Sequence, residues 1–201
     1  MGSTSEEIPD SLPILSRVSV IVVIAGDDAM PVNLDSTQER AYALSLSGTN
    51  VALLGRAGCG KSEVMRRAIS AARSKWGSKS VAVGALSGAA ALVIGGQTLH
   101  SLYGMDTRPL SREAWLRETL GRPNVVWRLN ALRVLFIDEI CTLSSSFFMR
   151  LAYVMRRVAP PHLQCMPFAG CQVVGMSFRT LALHCAPLSH SFPSLSSLLN
   201  E

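Results

Sequence analysis

VALLGRAGCGKS, residues 51–62, passes from four consecutive apolar side chains into a glycine-rich turn that closes on Lys-Ser. The apolar run predicts a short buried strand over 51–54, and residues 63–76 have the composition of a helix. Between them, Gly55, Arg56, Ala57, Gly58, Cys59, Gly60, Lys61 and Ser62 form a loop with little side-chain bulk. A strand, a glycine loop and a helix in succession turn backbone N–H groups and the positive end of a helix dipole toward an anion. The pattern assigns this loop to the phosphates of a nucleoside triphosphate. Lys61 is placed to reach the β- and γ-phosphates, and the Ser62 hydroxyl to ligate Mg²⁺.

Downstream, RVLFIDE at 133–139 puts four apolar residues directly before two carboxylates. That predicts a buried parallel strand with acids at its C-terminal end. Ligands of open α/β sheets collect at such ends. Asp138 is therefore assigned to Mg²⁺ and Glu139 to orienting and deprotonating an attacking water, with Lys61 completing the catalytic set. Strand ends commonly carry carboxylates, so the pair takes this reading from the loop upstream.

Further elements follow from composition. A helix is expected over 35–43 with Asp35 or Ser36 as N-cap. A β-rich run at 81–83 precedes the small-residue string 84–91, which opens another helix. Residues 144–158 read as a helix with Phe148, Leu151, Met155 and Val158 on a core-facing side. A last strand is expected over 171–174. The fold class is α/β, a P-loop NTPase with a mostly parallel sheet.

The 201 residues have room for one such domain plus tails, and 48% hydrophobic content supports a core. Residues 1–31, with three prolines, read as a flexible N-terminal extension; residues 18–25 within it are a strand or a sticky apolar stretch. The domain itself is expected over 32–175, and 176–201 as a divergent tail rich in Ser, Leu and Pro. Net charge is +5, which suits a polyanionic partner or, equally, solvated arginines on helix faces. Five cysteines without a CxxC pair fit free thiols in a reducing compartment, and His162, Cys165 and Cys171 make no full metal-ligand set. The apolar stretch at 18–25 is too short to span a bilayer, and Glu6, Glu7 and Asp10 ahead of it have the wrong polarity for a leader.

The stretch 81–105 supports two readings. Ser87, Gly88 and the alanines after them leave a bare backbone at a helix start, where a nucleic-acid phosphate can approach. Thr98, His100 and Ser101 add donors and Tyr103 a stacking surface. The other reading is a tightly packed helix with a turn at Gly95-Gly96.

Several of these stretches, in order, resemble the first motor domain of superfamily-one DNA helicases of the petite-integration-frequency (Pif) type, relatives of RecD. They are NLDSTQERA at 33–41, VAVGALSGAAALVIGGQTLHSLYGM at 81–105, LFIDEICTL at 135–143 and MPFAGCQVV at 166–174. The resemblance covers roughly residues 32–174. It implies a RecA-like three-layer α/β/α motor domain, ATP and Mg²⁺ as cofactors, and single-stranded or forked DNA as partner. It assigns Gln38 to paired hydrogen bonds with adenine, and Ser87, Gly88, Thr98 and His100 to DNA. It implies an ATP-dependent helicase of repair, recombination or telomere maintenance, in the nucleus or mitochondrion. The likeness also has departures. Gly84 stands in place of a threonine and Leu86 in place of a small polar residue. Gly175-Met176-Ser177-Phe178-Arg179 stands where the family continues GDFxQLPP, and nothing later resembles a second motor domain. The chain is therefore expected to be an incomplete, single-domain fragment with a truncated or out-of-frame end. The alternative is a nucleotide- and single-strand-binding module without helicase activity; an AAA-type ATPase fits neither Gln38 nor the TLHS stretch.

Overall fold

The computed structural model describes residues 20–24, 34–108 and 110–177. Its strands are β1 (Val20–Val23), β2 (Val51–Leu54), β3 (Val81–Ala85), β4 (Gln97–Thr98), β5 (Val134–Ile137) and β6 (Gln172–Ser177). They form one sheet in the order β1-β2-β6-β5-β3-β4, and every neighbouring pair is parallel. Parallel neighbours need crossover connections, and helices supply them here. These are α1 (Ser36–Ser45), α2 (Lys61–Trp76), α3 (Gly88–Val93), α4 (Leu99–Tyr103), α5 (Arg112–Leu120), α6 (Pro123–Ala131) and α7 (Ser145–Val158).

The period of two along β5 explains the layering. Val134 and Phe136 join a core with Ala41 of α1 and with Val64, Met65 and Ala68 of α2. Leu135 and Ile137 face the other way, into a core with Leu102 of α4, Trp115 of α5, Leu129 of α6 and Leu151 of α7. All four β5 side chains are fully buried, each worth about 1.5–3 kcal/mol. The result is a three-layer α/β/α domain with the parallel sheet in the middle, as expected from the sequence.

Where the structure departs from the sequence reading, tertiary pairing is the reason. Val20–Val23 takes the strand alternative read for 18–25 and adds to the sheet edge beside β2, with Val20 paired to Val51, so the flexible extension expected over 1–31 does not hold at these residues. Gly84 and Ala85 belong to β3 and not to a helix; α3 begins at Gly88, capped by the Ser87 side chain. The strand expected over 171–174 runs on to Ser177, past the boundary drawn at 175. β6 is sandwiched between β2 and β5, so Met176 and Ser177 pair with Leu53 and Leu54 whatever their local pattern. The arginine-bearing middle section, unassigned in the sequence, folds into α5 and α6. Their start signals, an N-cap at Ser111 and Pro123 in the first turn, are of the ordinary kind. Asn33, the rest of the extension and residues 178–201 lie outside the described residues.

Candidate functional site

The loop after β2 and the acids after β5 both sit at the C-terminal edge of the sheet, one strand apart. β6 lies between them, so two interstrand steps, about 10 Å, separate the two strands. Ile137 is level with Ala52 through their shared neighbour Gly175. β2 thus carries its loop about two residues, or ~7 Å, further out than β5 carries its acids.

The phosphate loop is built around glycine conformations. Gly58 and Gly60 have φ of +83° and +81°, which side-chain-bearing residues rarely adopt. A Cβ at Gly60 would stand 2.5 Å from Gln38 Nε2, and one at Gly55 2.6 Å from both Cys59 Sγ and the Ile24 carbonyl. Gly60 ends the loop as N-cap of α2 and no side chain caps that helix. The Glu63 and Val64 N–H groups donate to the Gly60 carbonyl, and the positive end of the α2 dipole faces the loop, where it favours an anion. Arg56, Ala57 and Gly58 form the exposed crest, with Ser62 also exposed; Cys59 is buried. Lys61 is only 2% exposed. Its Nζ donates to the carbonyls of Gly55 (2.7 Å) and Arg56 and lies 3.2 Å from Cys59 Sγ. The ammonium is thus tethered by the crest it would share with a phosphate. Glycines without room for a side chain, an uncapped helix start and a lysine held at the loop fit a triphosphate.

Gln38 connects α1 to this loop. Asp35 and Gln38 form a capping box: Gln38 N donates to Asp35 Oδ1 (2.8 Å) and Asp35 N to Gln38 Oε1 (3.1 Å). The same amide then donates through Nε2 to the Cys59 carbonyl at 3.3 Å. At 4% exposure it donates once to the loop and accepts once from the helix start. This strut is a role that the sequence did not suggest. Its signal was there in Asp35-x-x-Gln38, the spacing of a capping box.

The acidic turn is equally constrained. Glu139 adopts left-handed φ and ψ of 48° and 46°, costing on the order of 1–3 kcal/mol for a non-glycine residue. Asp138 Oδ1 accepts its N–H at 2.9 Å, and Thr142 donates from N and Oγ1 to its carbonyl, each at 2.8 Å. Ile140 packs on β6, where a Cβ at Gly175 would lie 2.6 Å from Ile140 Cδ1. Asp138 is 5% exposed. Burial, with the neighbouring Glu139 charge, pushes its carboxyl above the usual aspartate range despite the Glu139 N–H. A buried carboxylate that resists ionisation is one a divalent cation would stabilise. Among the described residues no group of three or more His, Cys, Asp or Glu side chains gathers into a metal site.

Ser87 and Gly88 follow β3, Thr98 ends β4 and His100 lies just after it, all at the same edge of the sheet. Ser87 Oγ and Thr98 Oγ1 accept from Ala90 N and Ser101 N, so both hydroxyls cap short helices. Nothing lies within 4 Å of where a Gly88 Cβ would be, which leaves its backbone approachable. The His100 ring packs on Phe147, centroids 4.9 Å apart, and more distantly on Trp115. Burial lowers its pKa, against the opposing charge of Asp106. Tyr103, expected as a stacking surface, is instead fully buried in the core beneath the sheet. Helical spacing turns it inward with Leu99 and Leu102. Gly84, the departure from threonine, has its own packing reason: a Cβ there would meet Leu99 Cδ2 at 2.7 Å.

With this geometry in view, comparison with known proteins is specific. The model of the PIF1-like helicase family matches residues 33–182. The chain belongs to the PIF1-like helicase family. It is 30% identical over 145 residues to the ATP-dependent DNA helicase PIF1 of Saccharomyces cerevisiae, covering 72% of this chain and 16% of the yeast protein. Among solved structures it is similar to the Pif1 helicase of Candida albicans, with TM-score 0.67 and 32% identity over 74% of this chain and 33% of that one. It is also similar to the Bacteroides Pif1 helicase in complex with ADP-AlF3 and single-stranded DNA. There the TM-score is 0.58 and the identity 26%, over 73% of this chain and 32% of that one. The chain thus spans a third or less of each of these family members.

Proposed function

We propose that this chain is the nucleotide-binding motor domain of a Pif1-type DNA helicase, binding and hydrolysing Mg-ATP while holding single-stranded or forked DNA. The observation that carries the reading is the uncapped start of α2 behind a glycine crest, one strand away from the buried Asp138 and the half-buried Glu139 beside it. Bound Mg²⁺ supplies charge neutralisation for the departing phosphate. The chain's own residues do the rest. The loop N–H groups and Lys61 orient the triphosphate, Ser62 and Asp138 offer oxygens to the metal, and Glu139 is positioned as the base that takes a proton from water. Gln38 keeps one N–H and one lone pair beyond its bonds to Asp35 and Cys59, the pair of groups that adenine would use. Ser87, Gly88 and Thr98 offer a bare edge to the DNA backbone, with the half-buried neutral His100 beside them.

One observation favours a second reading, a nucleotide- and DNA-binding module that does not couple hydrolysis to unwinding. The end of β6, where the resemblance expects an aspartate, carries the buried pair Met176 and Ser177. ATP turnover with and without an oligonucleotide separates the two. Stimulated turnover that Lys61→Ala and Glu139→Gln abolish supports the motor. Binding of both ligands with unstimulated turnover supports the module. Failure to bind Mg-ATP refutes both.

A further inference from the structure

The far end of β3 borders a cavity that the nucleotide and strand-end surfaces leave unused. α6 places Val125 and Leu129 in the core, so the residue halfway between them points outward, and Trp127 is 59% exposed there. Trp127 lines an open cavity of about 520 Å³ together with Arg73, Lys79, Gln97, Asn124 and Arg128, and no carboxylate lines it. Lys79 Nζ lies 5.5 Å from the Trp127 ring centre. Arg128 is pinned by donating from Nη2 to the carbonyls of Ser101 (2.9 Å) and Leu102. None of the phosphate loop, the acidic pair or Ser87, Gly88, Thr98 and His100 takes part. The cavity runs from Val81, at the start of β3 and about 13 Å from its C-terminal end, to Gln97, which adjoins Thr98.

We propose that this cavity is a second contact site for single-stranded nucleic acid. Cationic side chains beside an exposed indole are the combination on which bases stack while phosphates are neutralised. Arg73 and Lys79 make no ion pair with a carboxylate among the described residues, so their charge is available to phosphates. Asn124 and Gln97 present amides to base edges. An added peptide strand fits less well. Val81, Ala82 and Val83 are buried, and Gly96 closes on the Val83 carbonyl, where a Cβ would sit 2.4 Å away. The backbone edge that strand addition requires is covered.

The test is titration of the whole chain with a labelled oligo-dT, read by anisotropy and by intrinsic tryptophan quenching. Trp115 is buried and Trp76 half-buried, so stacking on Trp127 dominates the quench. Trp127→Ala should abolish most of the quench and weaken binding about tenfold. The double variant Arg73→Ala/Lys79→Ala should reduce the slope of log K against log salt by about 1.4, two single-strand phosphate contacts. Lys61→Ala should leave the quench intact, and Trp127→Ala should leave Mg-ATP binding and the melting temperature intact. Unchanged oligonucleotide affinity in both surface variants overturns this site while leaving the motor reading standing. Equal quenching by poly-glutamate also overturns it, in favour of an acidic protein surface, as does absence of oligonucleotide binding by the wild-type chain.

Discussion

Replacing Gln38 by alanine tests whether the amide is a strut of the phosphate loop. The substitution removes the Asp35 N–H to Oε1 bond and the Nε2 to Cys59 carbonyl bond. Each contributes about 0.5–1.5 kcal/mol net, and the amide is 4% exposed, so water does not readily replace it. The sum is about 2 kcal/mol. With a urea slope of about 2 kcal/mol/M for a domain of this size, the unfolding midpoint should fall by about 1 M. Gln38→Glu keeps the acceptor for Asp35 but turns a carboxylate on the Cys59 carbonyl. It should be the less stable variant at pH 7 and recover as acid protonates it. Because the strut acts on the loop and not on a base, affinity for Mg-ATP and Mg-GTP should fall together in calorimetric titrations. Any additional loss for ATP alone would measure adenine reading. A midpoint shift below about 0.2 M with unchanged affinity for both nucleotides refutes the strut.

Gly175→Ala drives a Cβ against three Ile140 side-chain atoms, at 2.6 to 3.2 Å. It should cost about 1–3 kcal/mol in denaturant unfolding and lower ATP turnover by displacing the Asp138-Glu139 turn. Asp138→Asn removes a buried carboxylate that the fold disfavours yet retains an acceptor for the Glu139 N–H. The ligand-free variant should melt no lower than wild type while losing the rise in melting temperature that Mg-ATP gives. Hydrogen bonds from Arg66 and then Arg67 hold the Glu63 carboxyl down to about 2. A depressed acid stabilises the fold above its unfolded value of 4.5 and loses that contribution as pH falls toward 2. Glu63→Gln should therefore cost under about 1 kcal/mol at pH 7, since the pair is partly solvated, with the gap to wild type shrinking steadily below pH 4.5 in urea titrations.

Much of the architecture was legible where local chemistry and tertiary context agree. VALL before the glycine loop, VLFI before the acids and the capped helix over 36–45 all satisfy backbone and burial demands within their own neighbourhoods. The sequence was least informative where pairing partners are remote. Val20–Val23 and the end of β6 are strands because β2 offers them an edge, and no pattern in GMS announces a buried strand end. At the site, residue identities were readable but their commitments were not. Gln38 is engaged twice, Ser87 and Thr98 spend their hydroxyls on caps, and Tyr103 points into the core because of a helix phase set by Leu99 and Leu102. Trp127 went unremarked because one exposed indole on a nine-residue helix leaves no periodic signature.

The position of β6 bears on how the chain assembles during synthesis. The strand that joins β1-β2 to β5-β3-β4 is the last of the six to leave the ribosome. Until Gln172–Ser177 emerges, the nascent polypeptide holds two half-sheets, each exposing a hydrogen-bonding edge to whatever strand is nearby. Completion of the sheet thus waits for the last of its six strands. The interval before it is when chaperone capture, or mispairing between neighbouring polypeptides on one message, would decide the yield of folded protein.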